Sequence, residues 1–142
     1  MIKMTAEVNV KALRDLEKRL QDGLADAVSK AAFKIQADAQ AMAPVDTGAL
    51  RASIFTITYR TNGKAGALAQ ARALNPDARE ARFTDLPESV FEAFVVVGVE
   101  YGIYQELGAG GRPGKFYVTQ SGARNRDWFM NEVRNAMRGA AK

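Results

Sequence analysis

The chain contains no cysteine and no histidine. Without cysteine there are no disulfides, no thiolate zinc sites and no thiol nucleophile. Without histidine, the commonest general base near neutral pH and the commonest metal ligand are also missing. No apolar run approaches the ~20 residues that a membrane-spanning helix needs. The opening segment MIKMTAEVNV lacks the apolar stretch of a secretory signal. These absences lead to the expectation of a soluble protein made in the cytoplasm, with no membrane partner. They also lead us to expect no catalytic, cofactor-binding or metal-binding residues.

What remains is an ordinary folding composition. The 142 residues are 47% apolar and 25% charged, as in a soluble globular domain. A chain near this length buries about 70% of its unfolded surface without staples, so residues 1–142 are expected to form a single domain. The net charge is +4, and it is uneven. Between Ala109 and Lys142 seven basic residues (Arg112, Lys115, Arg124, Arg126, Arg134, Arg138, Lys142) face only Asp127 and Glu132. Such a region suits either a solvated helix face or contact with nucleic acid or an acidic protein surface.

Periodicity places the elements. Val10, Leu13, Leu16 (or Glu17), Leu20, Leu24, Ala27, Ala31, Ile35 and Met42 recur at helical spacing. They predict a helix over 10–42 with Asn9 as its N-cap, Gly23 as its weak point, and an end forced at Ala43 by Pro44. A helical turn in TGALRAS then leads to a strand in SIFTITYRT, with Phe55, Ile57 and Tyr59 as its apolar face. Asn62-Gly63 signals a turn. Residues 64–90 read as an excursion from the core, so about 60–90 is expected to be a protruding arm or long loop. VFEAFVVVGVE predicts a second strand, central and buried on both faces. Ile103, Tyr104 and Leu107 share one side of a helical turn. Gly108, Gly110, Gly111, Pro113 and Gly114 form a loop, KFYVT a short edge strand, and Asp127 caps a closing helix with Phe129, Val133, Ala136 and Met137 along its apolar stripe.

Asp46-Thr47-Gly48 is the one triplet that suggests chemistry. Two carboxylates sharing a proton, as in a dimeric aspartic protease, need no histidine. That alternative puts Asp46 at the end of an apolar strand, whereas here a helix end and a proline precede it. The quieter use of the triplet is a corner, with Asp46 and Thr47 capping the next helical turn and Gly48 taking a positive φ. The other acids in reach, Glu100 and Glu106, have no spacing that suggests a metal cage. GAGG with Arg112 lacks the Lys-Ser/Thr of a phosphate loop. A third reading, a small DNA-binding protein using the basic C-terminal region, finds no helix-turn-helix or aromatic platform.

APVDTGALRASI, followed after the excursion by VGVEYGIYQELG, resembles the gene-ten-like family of tailed-bacteriophage head–tail joining proteins, the tail-completion or tail-component proteins of the neck. Pro44, Val45, Asp46, Thr47, Gly48, Leu50, Arg51, Ser53 and Ile54 match its first block, and Tyr101, Tyr104, Glu106 and Gly108 its second. Ala109 departs from the usual threonine, and the family's proline–phenylalanine pair is split here as RPGKFYV. The resemblance implies a structural virion protein rather than an enzyme. It implies an α+β fold in which a long N-terminal helix and a C-terminal helix pack on a small, mainly antiparallel sheet. It further implies a homo-oligomeric ring between the portal and the tail, in contact with head-closure or connector and tail proteins, with DNA passing through. Arg51 and Glu106 are expected as a structural or intersubunit ion pair.

Overall fold

The computed structural model of the chain describes residues 9–44, 48–59, 69, 86–99 and 101–142. Helix α1 runs Val10–Met42. It starts where the Asn9 side chain accepts from the Ala12 amide at 3.0 Å and ends at Ala43, whose ψ of 138° is the extended geometry imposed ahead of Pro44. The corner that follows enters a single turn, α2 (Ala49–Ala52), through Gly48 at φ 82°. Strand β1 (Ile54–Thr58) and strand β2 (Ala93–Val97) pair antiparallel, Thr56 opposite Val95. Helix α3 (Gly102–Leu107) leads into a hairpin of β3 (Gly108–Ala109) and β4 (Arg112–Pro113). Helix α4, Tyr117–Ala141, closes the chain.

The architecture is α+β, with the two long helices antiparallel to each other and packed on the small sheet. The buried positions of α1, facing α4 and the sheet, are all small: Ala25, Ala27, Ala31, Ala32 and Ala39. A Cβ at Gly23 would lie 3.1 Å from that of Ala136 on α4, so the glycine that weakens the helix is the point where the two backbones draw close. Asn125 bridges the seam, its amide donating to Asp38 at 2.6 Å and to the Ser121 carbonyl at 2.8 Å. Beneath the sheet, Ala39, Ala43, Leu50, Ile54 and Tyr117 form the core, with Val95 and Val97 packed on it.

Several expectations need correction. The strand at 54–58 buries Ile54, Phe55, Thr56 and Ile57 in succession rather than one face. Ile54 and Thr56 point to α1, and Thr56 is cheap to bury because its hydroxyl reaches the Ala32 carbonyl. β2 is half-buried throughout, since β1 is the only strand beside it among the described residues. KFYVT is not a strand: Tyr117 already opens α4, and Asp127 lies inside that helix rather than at its cap. The glycine-rich segment is a tight hairpin whose central pair, Gly110 and Gly111, has φ of 58° and 78°, the positive values a two-residue turn of this kind requires. The expected arm and the Asn62-Gly63 turn lie outside the described residues, save Ala69 and its far end, where Leu86 and Pro87 are buried.

Candidate functional site

Among the described residues, the Glu106 carboxylate accepts three hydrogen bonds. It accepts from the backbone amides of Val118 and Thr119, both at 2.9 Å, and from the Thr119 hydroxyl. Those amides belong to the first turn of α4, where helical geometry leaves them without partners. A carboxylate there also meets the positive end of the helix dipole. Glu106 is therefore a remote N-cap, standing in for Phe116, which supplies no side-chain bond of its own. Phe116 holds φ at 49°, a strained value for a non-glycine residue. It is held there by a hydrogen bond its amide donates to the Glu106 carbonyl at 3.0 Å and by the neighbouring one from the Lys115 amide to the Gln105 carbonyl at 2.8 Å.

The same bracket explains two glycines. Gly108 sits at φ 89°, and a Cβ on it would stand 2.5 Å from the Arg112 carbonyl oxygen. Gly102 opens α3 against the sheet, where a Cβ would approach Val97 Cγ1 to 2.4 Å. Tyr117, fully buried, donates its hydroxyl to the Gly102 carbonyl at 3.0 Å. Burial first, and then the neighbouring Glu106 and Tyr101, push its phenol up to about 12.

On this rigid base α3 turns large apolar side chains outward. Ile103 is 57% exposed, and Tyr104 and Leu107 are each 60% exposed. Tyr101 and Phe116, before and after this segment, are exposed as well. Scattered exposed apolar residues are ordinary, whereas a contiguous group on one braced element marks an interaction surface. Beside it, Tyr104, Gln105, Ala109, Arg112, Pro113 and Lys115 line a concavity of about 440 Å³.

The residues singled out from sequence are only partly brought together. Arg51 is exposed on α2, and no ion pair joins it to Glu106 among the described residues. Gln40 ties α1 to the junction of α2 and β1, its side-chain amide donating to the Arg51 and Ile54 carbonyls at 3.4 and 3.1 Å. Val45, Asp46, Thr47 and Glu100 lie outside the described residues. Of the basic residues, Arg112 lies in the hairpin and Lys115 just after it, while Arg124, Arg126, Arg134 and Arg138 are strung along α4. Sequence reasoning missed Gly102, Tyr117 and Thr119. Their roles come from the contacts that α3 makes with β2 and with the start of α4, and no local pattern carried them. Among the described residues no group of three or more acids could hold a metal ion, and no helix is long and apolar enough to cross a membrane.

These features describe a subunit whose Glu106 carboxylate secures a helix end and whose α3 leaves large apolar side chains exposed. Residues 9–108 match the family described as "Bacteriophage HK97-gp10, putative tail-component", and the chain belongs to that family. No curated protein and no solved structure matches it. It is thus a structural component of the phage tail and neck, associated with the head–tail machinery, and not a catalyst. The aspartic-protease alternative falls with this assignment. Its nearly all-β fold is replaced by two long helices, and Gly48 opens a helical turn rather than closing an apolar strand.

Proposed function

We propose that this subunit forms a homo-oligomeric ring at the head–tail interface, joining the portal or connector to the tail and leaving a channel for DNA. The observation that carries the reading is the α3 face. Ile103, Tyr104 and Leu107 are held outward by a bracket fixed at Glu106, Gly108 and Tyr117, a construction suited to docking a protein neighbour without rearrangement. Family membership supplies the setting, the tail of a phage particle. In that setting the adjoining head-closure, connector or tail proteins are the partners, and the virion is the location. The basic residues spread over α4 and the hairpin suit a site beside passing DNA, where phosphate contacts carry no sequence information.

Electron microscopy of particles with and without the subunit tests the reading. Particles lacking it are expected to show filled heads separated from tails, and wild-type particles a ring of density at the neck. Joined, infectious particles assembled without the subunit would refute it. Substituting Ile103 and Leu107 by aspartate is expected to reproduce the separated heads and tails while leaving the free subunit folded, because both side chains already face solvent.

A further inference from the structure

The first turns of helix α1 stand open on the surface. Residues 10–19 are all exposed, up to the point where Arg19 donates to the carbonyl of Lys142 on α4 at 3.3 Å. The exposed segment from Val10 to Lys18 is roughly 13 Å long at ~1.5 Å per residue. Its exposed face carries an apolar stripe. Val10 and Leu13 are each 54% exposed and Leu16 is 37% exposed. At three- and four-residue steps they continue the stripe of Leu20, Leu24 and Ala27 further along the helix.

Elsewhere α1, β2 and α4 converge on an apolar groove of about 690 Å³. Ala31, Ala32, Gly122 and Ala123 line it with small side chains, and Phe91 and Phe129 with large ones. Small residues let a second backbone come close, and aromatic walls supply contact area. A helix presenting anchors at regular three- and four-residue steps is the natural occupant of such a groove. The charges also correspond. Glu92 and Arg126 line the groove and are exposed, while Arg14 and Glu17 flank the exposed stripe.

Ridge and groove cannot meet within one subunit. Val10–Lys18 and the groove residues Val28–Ile35 belong to the same continuous helix, which holds their centres roughly 26 Å apart at ~1.5 Å per residue. A second copy of the chain carries the matching half. We propose that the exposed N-terminal end of α1 in one subunit docks into the α1–β2–α4 groove of the next, Arg14 toward Glu92 and Glu17 toward Arg126. Such a contact joins two different patches, so it repeats head to tail and builds a ring when the rotation closes. This inference rests on the ring reading above and specifies its subunit contact.

The absence of cysteine allows a clean test. Leu13→Cys and Ala123→Cys, placed on ridge and groove, are combined in one chain and treated with a short bis-maleimide, both as the purified full chain at high concentration and in assembled particles. The double variant is expected to give a ladder of covalent oligomers. A mixture of the two single variants should give a covalent dimer and nothing larger, and neither single variant alone should cross-link. Glu17→Arg is expected to weaken assembly about tenfold, with recovery when Arg126→Glu is added. Self-linking of Leu13→Cys would reveal a symmetric helix–helix contact and overturn the proposal. So would a double variant that fails to link in both settings. Native mass spectrometry of the same samples separates the two levels. A ring mass without the cross-link overturns this contact alone, whereas a monomer mass in both settings overturns the ring as well.

Discussion

Replacing Glu106 asks whether α4 is held by a cap that arrives from another element. The wild-type carboxylate engages the Val118 and Thr119 amides and the Thr119 hydroxyl. A hydrogen bond to a charged group contributes ~1.5–3 kcal/mol. Loss of an N-cap costs ~0.5–2 kcal/mol, and charge at a helix N-terminus contributes ~0.3–1 kcal/mol. These figures describe overlapping parts of one interaction, and water can reach a half-buried site once it is vacated. The expected loss is therefore ~2 kcal/mol for Glu106→Ala and ~1 kcal/mol for Glu106→Gln, which keeps one acceptor but not the charge. At ~2–4 °C per kcal/mol for a chain near this size, Tm should fall by roughly 4–8 °C and half that. Urea denaturation followed by circular dichroism measures both. A double-mutant cycle then identifies the partner. Thr119→Ala should couple to Glu106→Ala by ~0.5–1.5 kcal/mol, and Arg51→Ala should not couple in the free subunit. Wild-type stability in Glu106→Ala, or coupling to Arg51 in place of Thr119, would refute the capping argument.

Tyr117 gives a pH prediction. Its phenol, raised from 10.0 to about 12 in the folded chain, favours the neutral form. That contribution to stability is complete below pH 10 and is lost as pH rises through 12. Tyr117→Phe should flatten the alkaline fall in stability, and superposable pH profiles of variant and wild type would count against it. At Gly48 nothing lies within 4 Å of the place a Cβ would occupy, so the obstacle is φ alone. Gly48→Val should lose ~1–3 kcal/mol and Gly48→Asn much less, and equal urea midpoints for the two would argue against backbone strain. Gly102→Ala should cost ~1–3 kcal/mol by overpacking, part of it recovered when Val97→Ala makes room; no recovery in the double variant would place the clash elsewhere. Asn125→Leu should cost ~1–3 kcal/mol by removing the seam hydrogen bond to Asp38 and the bond to the Ser121 carbonyl within α4, and a melting temperature at or above wild type would show the bridge to be dispensable.

Much of the fold was legible because its signals are local. Asn9 and Pro44 mark the ends of α1 by chemistry within one turn of each boundary. Gly48 declared a positive φ, and the β-branched and aromatic runs around Ile57 and Val95 declared strands. The two blocks that resemble the phage family pointed to the joining role and to Glu106 and Gly108, though not to what either residue does.

The remaining features depended on how the elements pack. The cap of α4 was misplaced by eleven residues, at Asp127 in place of Phe116, because the side chain that caps the helix is Glu106, twelve residues before Val118. The face of β1 that meets α1 was misread because threonine is polar in a pattern, yet apolar enough in place once Ala32 accepts its hydroxyl hydrogen. β2 reads as a central strand from its valines alone, but whether a strand is central depends on what lies beside it. Caps, strand neighbours and hydroxyl partners each come from elements distant in the chain, and one-dimensional pattern contains only the residue types at their two ends. Features that local chemistry satisfies within a turn could be read along the chain; those needing a partner from afar took shape only when α1, α3, the sheet and α4 came together.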